Sequence, residues 1–586
     1  MAGSSEIYPV AVIGGGPIGL SSSILLSLRG IPHILFERRP STSIHPKACG
    51  INQRTTEVFR KMGIEDAVYA VAGPPEISGR TAWYTSLGSE GKEVASRYGW
   101  GAGPYTEEFL KHSPSKYAIL PQIEAVKYRA EVMDVSERER DGYVVLKVRF
   151  AGKEPDEEVR ARFVICADGG RSFTDKLGVR WLGEKDIYNM VTAHFRAPLT
   201  KLHPDPRNFI TWFTHPDLGG SVKTGFLYQI GPWPAGPETD EEWVFVCMPG
   251  GTDPERFEPE AMANRIRNTL QLPDLPIEVV SLSPWNVNAI YAERYRASKR
   301  VFLAGDAAHR IPPWGALGMN SGIQDVANLV WKLDLALQDE QKYDKLLGSY
   351  DTERRPIGER VGRTSLRNLR SHSLVMDAAL GMSAGNTPEQ NWAALTPYFD
   401  PAHPEYARKR AAVERALKTL DSEFKAPGAE VGWFYPSADF DGEGAASRHG
   451  GQLGEDGELE TEFYYPSTIP GHHVPHAWLR EPGDPSDKKV AVFDLIPLRQ
   501  MLLLVRRRGV GWEQLESALV HVEIVGEGGD WVDADGDWAR QCGVGEEGAV
   551  LVRPDGIVAW RGEWTDGSKD VDQWGRVLDR VMYLAQ

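Results

Sequence analysis

The alternation of hydrophobic and polar residues near the start of the chain predicts a βαβ unit. Residues 10–13 (Val-Ala-Val-Ile) form a short apolar run of the kind that is buried in a parallel sheet. A glycine-rich turn follows over 14–19, and residues 20–28 have the pattern of a helix with small residues on one side. A second apolar run, 34–36 (Ile-Leu-Phe), ends at Glu37. This order of elements predicts a parallel α/β fold at the start of the chain.

The middle of the chain has the pattern of an antiparallel sheet followed by helices. Strands are predicted over 142–150, 159–166, 188–196, 208–213, 223–231 and 242–248. A further buried strand, 301–304, precedes an amphipathic helix over 322–338. Residues 365–425 are predicted to be mostly helical, and 426–460 to form a loop or linker rich in Gly, Asp and Glu.

The last part of the chain has the pattern of a small α/β unit. Its predicted elements are strands at 489–495, 501–505, 520–525 and 549–553, a segment at 556–560, and a final helix at about 570–584.

Composition narrows the classes of protein. With 586 residues, the chain is long enough for about three to four domains of about 150 residues each. The formal net charge of −16 argues against a general nucleic-acid binder. We expect no membrane span and no secretory signal, since no apolar run has the needed length. The four scattered cysteines form no metal-ligand pattern, so a cytoplasmic protein with reduced thiols and no bound metal is expected.

The first glycine-rich turn has the chemistry of a dinucleotide site. Gly14 would permit the tight turn, Gly16 would let a pyrophosphate approach the backbone, and Gly19 would let the helix lie close to the strand. The N-terminus of the helix that follows this turn offers free amides and a partial positive charge to phosphates. Glu37 could accept hydrogen bonds from both hydroxyls of an adenosine ribose.

Two later segments join this turn in a recognisable set: Asp168-Gly169 with Arg171-Ser172, and 305–320, which contains Gly-Asp-Ala-Ala-His and Pro-Pro-Trp-Gly-Ala-Leu-Gly-Met-Asn. The set resembles the single-component flavoprotein aromatic hydroxylases, the family of para-hydroxybenzoate hydroxylase and phenol hydroxylase. Four further segments resemble the phenol and dichlorophenol monooxygenase branch of this family in particular: 45–48, 52–55, 285–287 and 470–478. The resemblance covers essentially the whole chain.

The resemblance implies a fold and a division into domains. It implies an α/β chain with a Rossmann-like FAD-binding domain of the glutathione-reductase type, an interleaved antiparallel-sheet substrate domain, and a thioredoxin-like C-terminal domain. The implied boundaries are 1–72, 118–185 and 284–365 for FAD; 73–117 and 186–283 for the substrate sheet; 366–435 for a helical region; and 436–586 for a linker with the thioredoxin-like domain. That domain has no CxxC, because Cys542 is alone, so dithiol chemistry is not expected.

In this family NAD(P)H reduces FAD, oxygen adds at flavin C4a, and the hydroperoxide delivers a hydroxyl group to a phenol. The resemblance therefore implies FAD as cofactor, NADPH or NADH as co-substrate, oxygen, a small aromatic substrate and a homodimer. It implies cofactor contacts at Gly14, Gly16, Pro17, Gly19, Glu37, Arg38, Lys47, Arg54, Gln122, Asp168, Gly169, Gly305, Asp306, Gly315, Gly318, Met319 and Asn320.

The implied substrate site is less regular. Pro313 matches a position that presents a carbonyl to the substrate, and Trp314 could stack on a flat ligand. Cys49 replaces the Asp or His that assists removal of the phenolic proton, and a thiol is a poor base unless a cation lowers its pKa. The base is then elsewhere, for example a Tyr or His of the substrate sheet, or the substrate needs none. The family's helix of about 20 residues after Gln122 is also short here.

Several alternatives remain open. The replacement at Cys49 favours, as a second hypothesis, Baeyer–Villiger oxidation or epoxidation of a larger natural product on the same fold. A flavoprotein oxidase that passes electrons to another acceptor, or a flavin-binding interaction protein, are further alternatives. His472, His473 and His476 resemble a metal motif, but Pro475 would interrupt the helix that aligns them. For His309, inside a flavin turn, a structural role is preferred to a catalytic one.

Overall fold

A computed structural model describes residues 7–39, 48–120, 130–150, 155–170, 173–231, 233, 241–248, 258–435, 448–486, 488–564 and 567–584. Its strands are β1 (Ile7–Ile13), β2 (His33–Phe36), β3 (Gly50–Ile51), β4 (Arg80–Tyr84), β5 (Glu93–Tyr98), β6 (Ala118–Ile119), β7 (Ala130–Arg138), β8 (Tyr143–Phe150), β9 (Glu157–Cys166), β10 (Trp181–Arg196), β11 (Asn208–Phe213), β12 (Phe226–Gly231), β13 (Glu242–Cys247), β14 (Glu278–Ala292), β15 (Val301–Leu303), β16 (His309–Arg310), β17 (Trp478–Arg480), β18 (Val490–Ala491), β19 (Met501–Val505), β20 (Val520–Ile524), β21 (Val532–Asp533), β22 (Gly548–Val552) and β23 (Val558–Glu563).

Its helices are α1 (Pro17–Leu28), α2 (Gln53–Met62), α3 (Glu65–Val71), α4 (Pro75–Ser78), α5 (Thr106–Leu110), α6 (Phe173–Lys176), α7 (Ser221–Thr224), α8 (Pro259–Leu270), α9 (Leu317–Gln338), α10 (Asp344–Leu380), α11 (Pro388–Phe399), α12 (Tyr406–Leu420), α13 (Pro427–Glu430), α14 (Asp537–Gln541) and α15 (Gly567–Val581).

The first sheet is built around a parallel core. Strands β2, β1, β9 and β15 are parallel neighbours in that order, and β8 and β7 extend the sheet antiparallel from β9. The apolar runs at the ends of β1 and β9 are buried in one hydrophobic cluster with residues of α1 and α9. Parallel order aligns the carboxyl ends of β1, β9 and β15 at one edge, which is where such sheets bind ligands.

The second sheet has eight strands in the order β16-β14-β10-β13-β12-β11-β4-β5. The alternation of side chains gives it two buried faces. One face packs against α8 and its neighbours, and the other packs against α10, α12 and the turn that precedes α9. We call this second face, which packs against the turn before α9, the inner face.

The C-terminal sheet has the order β20-β19-β22-β23, with β19 and β20 parallel and β22 antiparallel to both of its neighbours. This is the thioredoxin-like arrangement that the resemblance implies. Cys542 is a buried free thiol next to the guanidinium of Arg506, at 3.0 Å.

A buried ionic cluster joins this C-terminal unit to α9 and α10. Arg553 donates two hydrogen bonds to Glu353, at 2.7 and 2.9 Å, and Lys332 donates a third at 2.8 Å. Burial alone would raise the pKa of Glu353, but Arg553 and Lys332 hold it well below its usual value. Breaking such a pair from one side leaves a buried charge without a partner, so this cluster fixes the C-terminal unit against the helix that begins at the candidate site.

The structure corrects several predicted elements. Residues 278–292 form the long strand β14, for which the sequence pattern gave no strand, and α9 begins at Leu317, five residues before the predicted start. Strand β12 begins at Phe226 instead of residue 223, where α7 lies. The predicted strand 489–495 is a strand for two residues only, Val490–Ala491. The length of β14 is set by its pairing with β10, a strand that is distant in sequence.

Candidate functional site

The turn after β1 requires glycine at two positions for steric reasons. Gly14 has a φ of +107°, and a Cβ there would lie 2.3 Å from the carbonyl oxygen of Ala167 at the end of β9. A Cβ on Gly19 would lie 1.8 Å from the carbonyl oxygen of Gly14. Both approaches are closer than any side chain permits. The turn, the helix and the neighbouring strand are therefore packed backbone to backbone.

Open space lies in front of the helix that this turn begins. A Cβ built on Gly16 meets no described atom within 4 Å, and Pro17 occupies the first helical position, where it needs no hydrogen-bond partner for its nitrogen. Glu37 at the end of β2 accepts hydrogen bonds from the amides of Gly15, at 2.7 Å, and Arg39, at 2.8 Å. Arg38 is exposed. Free amides, a partial positive charge and an adjacent carboxylate suit the adenosine and pyrophosphate of a dinucleotide.

The three segments that the sequence singled out meet at this edge of the sheet. A Cβ on Gly170 would lie 2.2 Å from the carbonyl oxygen of Asp306, so the turns after β9 and β15 touch. Ile18 of α1 packs against Gly305 and Gly322, where added Cβ atoms would lie 2.7 Å from its side chain. Glycines thus let α1, the turn after β15 and α9 converge on one isoleucine. The sequence did not single out Ile18 or Gly322.

Asp168 and Asp306 have different roles in these turns. The Asp168 carboxylate accepts hydrogen bonds from the amides of Gly170, at 3.0 Å, and Phe173, at 3.4 Å, and so stabilises the turn in which Gly169 has a φ of +76°. Asp306 is exposed in a single 3₁₀ turn, Gly305–Ala307. An exposed carboxylate beside the convergent turns is suited to accept hydrogen bonds from cofactor hydroxyls.

Behind Asp306, a buried carboxylate supports the turn. Asp325 of α9 accepts the amide of Gly305 at 3.1 Å, contacts His309 Nε2 at 2.9 Å, and pairs with Arg354 at 2.8 Å. Burial opposes the charge on Asp325, but His309 and Arg354 nevertheless lower its pKa. His309 therefore has a structural position, as preferred above. Asp325 and Arg354 had no distinguishing signal in the sequence.

The second glycine-rich turn leads into α9. Pro313 is exposed, and its carbonyl oxygen accepts the amide of Ala316 at 3.0 Å. Gly315 has a φ of +98° and Ala316 a φ of +55°, a left-handed conformation that is uncommon outside glycine. No side chain of the described residues caps the first amides of α9. Gly318 and Met319 in this first turn are partly exposed, so their backbone faces open space.

Asn320 ties this turn to the segment that contains Cys49. Its side chain accepts the amide of Asn52 and donates to the carbonyl oxygen of Gly50, both at 3.0 Å. Arg54, one turn further on, is buried against Glu57 at 2.7 Å and against the carbonyl oxygen of Val431 at 3.3 Å. Because its guanidinium is already paired within the protein, Arg54 is not among the proposed cofactor contacts. Lys47 and Gln122, and the short segment after Gln122, lie outside the described residues.

An aromatic surface on the inner face stands opposite this turn. Its ring contacts run from Trp212 to Phe226 at 4.3 Å, from Phe226 to Tyr228 at 6.2 Å, and from Phe226 to Trp314 at 6.4 Å. Trp314 is 7% exposed, and its indole nitrogen finds no hydrogen-bond partner among the described residues. Flat rings and an unused donor are suited to a flat aromatic ligand that carries an acceptor.

Cys49 packs against the same surface. Burial raises the pKa of its thiol to about 12, so the thiol stays protonated at neutral pH and cannot serve as a base. Burial also raises the pKa of Tyr228, whose hydroxyl stays neutral as well. The proton acceptor expected on the sheet is therefore neither of these groups.

The three histidines near 472 separate in space. His472 contacts His449 at 3.1 Å, whereas His473 packs against the ring of Trp433. Within the described part of the chain, no group of three or more His, Cys, Asp or Glu side chains is arranged to hold a metal ion. No helix in that same part combines the length and the apolar character needed to cross a bilayer.

Family models match most of the chain. A model described as FAD binding domain matches residues 7–365, and one described as aromatic-ring hydroxylase, C-terminal, matches residues 467–582. The first covers the parallel sheet and the eight-stranded sheet together, and the second covers the thioredoxin-like unit.

Characterised relatives match over nearly their whole length. The chain is 31% identical to 2,4-dichlorophenol 6-monooxygenase of Delftia acidovorans, over 96% of each chain. It is 31% identical to phenol 2-monooxygenase of a Pseudomonas species (strain EST1001), over 94% of this chain and 90% of that one. It is 29% identical to a putative polyketide hydroxylase of Streptomyces halstedii, over 95% and 93%. Among solved structures, the flavin-dependent monooxygenase PieE, in complex with FAD and substrate, superposes with a TM-score of 0.85 and 30% identity over 99% of this chain and 100% of that one.

Proposed function

Because this chain belongs to the FAD-dependent aromatic-ring hydroxylases, we propose that it hydroxylates a phenolic or other electron-rich aromatic compound with NAD(P)H and molecular oxygen. The enzyme is an FAD-dependent aromatic monooxygenase. When bound, FAD accepts two electrons from NAD(P)H and activates oxygen, of which one atom enters the ring. The chain's own residues bind the cofactor, orient the ring and exclude water.

We propose that FAD lies along the edge where the three turns meet. The open space at Gly16 and the free amides of α1 would take the pyrophosphate, and Glu37 would take the ribose of the adenosine. Asp306 would accept hydrogen bonds from the hydroxyl groups between the phosphates and the flavin. The amides at the start of α9 would stabilise negative charge on the reduced ring system. Asp168 and Gly169 would act mainly by holding the middle turn.

The observation that carries the substrate proposal is the aromatic surface opposite the exposed Pro313. Trp212, Phe226 and Tyr228 line the inner face, and Trp314 closes it from the turn. A phenol between them would have its ring against aromatic side chains. The hydroxyl group added to the ring would be near the Pro313 carbonyl, which has one lone pair left after the bond from Ala316.

The test is product analysis with isotopic oxygen. The purified protein, loaded with FAD, is supplied with NADPH, ¹⁸O₂ and each of a panel of phenols. We expect a hydroxylated product that carries one ¹⁸O atom and NADPH oxidation that the phenol accelerates. Stoichiometric peroxide without a labelled product, for every phenol tested, would instead support a flavoprotein oxidase.

A second candidate is oxygenation of a larger polycyclic aromatic compound, including oxygen insertion or epoxidation. It is supported by the length of the aromatic surface, by the neutral thiol at Cys49 and by the likeness to a putative polyketide hydroxylase. Competition between phenol and a fused-ring phenol for the same enzyme would separate the two candidates, since the larger compound should then have much the higher kcat/KM.

Some finer points also belong to the proposal. We propose that NADPH is preferred over NADH, that the protein is a cytoplasmic homodimer, and that its domains have the boundaries given above. The four free thiols support the reduced compartment. A comparison of KM for NADPH and NADH would test the nicotinamide preference. Sedimentation at micromolar concentration would test the homodimer.

A further inference from the structure

The inner face holds a histidine that the cofactor site does not use. His372 of α10 is 4% exposed, and its Nδ1 lies 2.8 Å from the carboxylate of Glu423. Its Nε2 is buried and finds no hydrogen-bond partner among the residues that the structure describes. A carboxylate on one ring nitrogen fixes the tautomer, so that Nδ1 donates its proton and Nε2 presents a lone pair.

His372 lies over the aromatic surface described above. Its ring is 3.7 Å from that of Trp212 and 5.9 Å from that of Trp83, measured between centroids. Trp212 is the cross-strand partner of Phe226, and Phe226 contacts Trp314. His372 and Trp314 therefore stand over neighbouring strands of one sheet, which are about 4.8 Å apart.

The backbone also links His372 to the turn beside the flavin. A Cβ on Gly315 would lie 3.1 Å from the side-chain amide of Asn368, one helical turn before His372. It would lie 3.4 Å from the carbonyl oxygen of Glu423, the residue that holds the imidazole. The histidine and its carboxylate are thus part of the wall next to the Pro313–Ala316 turn.

Three polar atoms in this wall lack partners in the described part of the chain: Nε2 of His372 and the indole nitrogens of Trp83 and Trp314. A buried polar group without a hydrogen bond is unfavourable, so such groups are usually paired. One nitrogen that can accept and two indole groups that can donate, all buried in this aromatic wall, suit a ring that carries a hydroxyl group. Neither Cys49 nor Tyr228 can accept that proton, for the reasons given above.

We propose that His372, held by Glu423, is the catalytic base that accepts the phenolic proton of the substrate. This inference rests on the proposed function. The substrate O–H bond breaks, a bond forms between the proton and Nε2, and the electron pair left on oxygen raises the electron density of the ring carbons that receive the oxygen atom. The proton returns from Nε2 to the product oxygen, so the step needs no oxidant or reductant beyond those of the hydroxylation itself.

The charges around His372 suit this role. Glu423 faces it directly, and Arg97 of β5 pairs with the other oxygen of that carboxylate at 3.3 Å. Asp377, further along α10, interacts electrostatically with His372 and is hydrogen-bonded to Ser221 and Thr214. Glu423 can stabilise the imidazolium that forms, and Arg97 holds the carboxylate in place.

The test combines His372→Gln with a matched control, His203→Gln. His203 is an equally buried histidine that bonds Thr211 at 2.8 Å and packs edge-on against Tyr84, on the opposite face of the same sheet. The first readout is para-nitrophenol bound to the FAD-loaded enzyme, whose absorbance reports its ionisation. In His372→Gln the apparent pKa of the bound probe should rise by about one unit or more relative to wild type, about a tenfold change.

The second readout is the pH profile of hydroxylation. With unsubstituted phenol, kcat should fall by about 100- to 10,000-fold in His372→Gln, with FAD content unchanged, and the acid limb of the profile should disappear. His203→Gln should leave both the apparent pKa of the bound probe and the pH profile of hydroxylation as they are in wild type. If His372→Gln does not retain FAD, Glu423→Gln takes its place and should shift the probe in the same direction by a smaller amount.

An unchanged probe spectrum and an unchanged pH profile in either variant would overturn the proposal. A wild-type enzyme that ionises the bound probe but labels no phenol with ¹⁸O would refute the proposed function and leave His372 as a proton acceptor. A wild-type enzyme that binds no phenol at all would refute both.

Discussion

Replacement of Gly16 by Ala would separate cofactor binding from folding. Gly16 precedes α1 with a φ of −73°, which alanine adopts without strain, and its added Cβ would meet no described atom within 4 Å. The apoprotein should therefore be as stable as wild type or slightly more stable, since alanine reduces the freedom of the unfolded chain by about 0.4–1 kcal/mol. The methyl group would, however, occupy the space through which the pyrophosphate approaches the backbone.

The expected size of the effect follows from the cost of overpacking. An added methyl group against a rigid neighbour costs about 1–3 kcal/mol. At about 1.4 kcal/mol per factor of ten, the Kd for FAD should rise about 5- to 150-fold. Gly19→Ala is different in kind, because its Cβ would lie 1.8 Å from a backbone oxygen, so that variant should lose folding as well as FAD.

The assay is titration of the apoprotein with FAD, followed by quenching of flavin fluorescence, together with thermal unfolding of the same apoprotein. Gly575→Ala is the matched control, since Gly575 is exposed in α15 and its Cβ would also meet nothing within 4 Å. It should leave Kd unchanged. Binding of FAD by Gly16→Ala as tight as by the control would show that no phosphate approaches the backbone at this position. A loss of Tm in apo Gly16→Ala as large as in Gly19→Ala would show that the methyl group disturbs folding instead.

Three further predictions concern the buried groups. Arg553→Met should lower the free energy of unfolding of the first urea transition by about 1.5–3 kcal/mol, because Glu353 keeps Lys332 but loses two charge-assisted hydrogen bonds, and no measurable loss would contradict this. Burial raises the pKa of Glu430 from 4.5 to about 8, so the folded state keeps a proton that the unfolded chain loses, and stability should fall as pH rises from 4.5 to about 8. Glu430→Gln should remove that decline in thermal unfolding, and parallel wild-type and variant profiles would count against it. Cys49→Ala should keep kcat within about fivefold of wild type in the hydroxylation assay, whereas loss of a general base would cost about 100-fold or more.

The sequence was sufficient to predict the turns that form the cofactor edge. Glycine at position 19 is required by a contact with Gly14 in the same βαβ unit, and the order strand, glycine turn, helix, strand makes that requirement visible. The contact that requires Gly14 is with Ala167 after β9, but the same turn pattern pointed to it. The family resemblance supplied the FAD assignment and the C-terminal fold in the same way, through short motifs whose geometry is local. The outer limits of strands such as β11 and β19 followed from apolar runs alone.

The sequence was not sufficient where a role depends on a distant partner. Arg54 has the positive charge expected of a phosphate ligand, but in the structure its side chain is buried and paired with Glu57. Asp325 supports the amide of Gly305 from a different element, and nothing in the helical pattern of α9 distinguishes it from its neighbours.

His372 and Glu423 are the clearest case, since they are 51 residues apart and meet only because α10 and the segment after α12 pack on one face of the sheet. The hydrophobic pattern indicates whether a segment is a helix or a strand and which side of it is buried. It carries no information on what covers that side. The chain by itself therefore determined which turns could hold a flavin nucleotide. The packing of two sheets and one long helix decided which buried side chains, His372 and Glu423 among them, meet on the inner face.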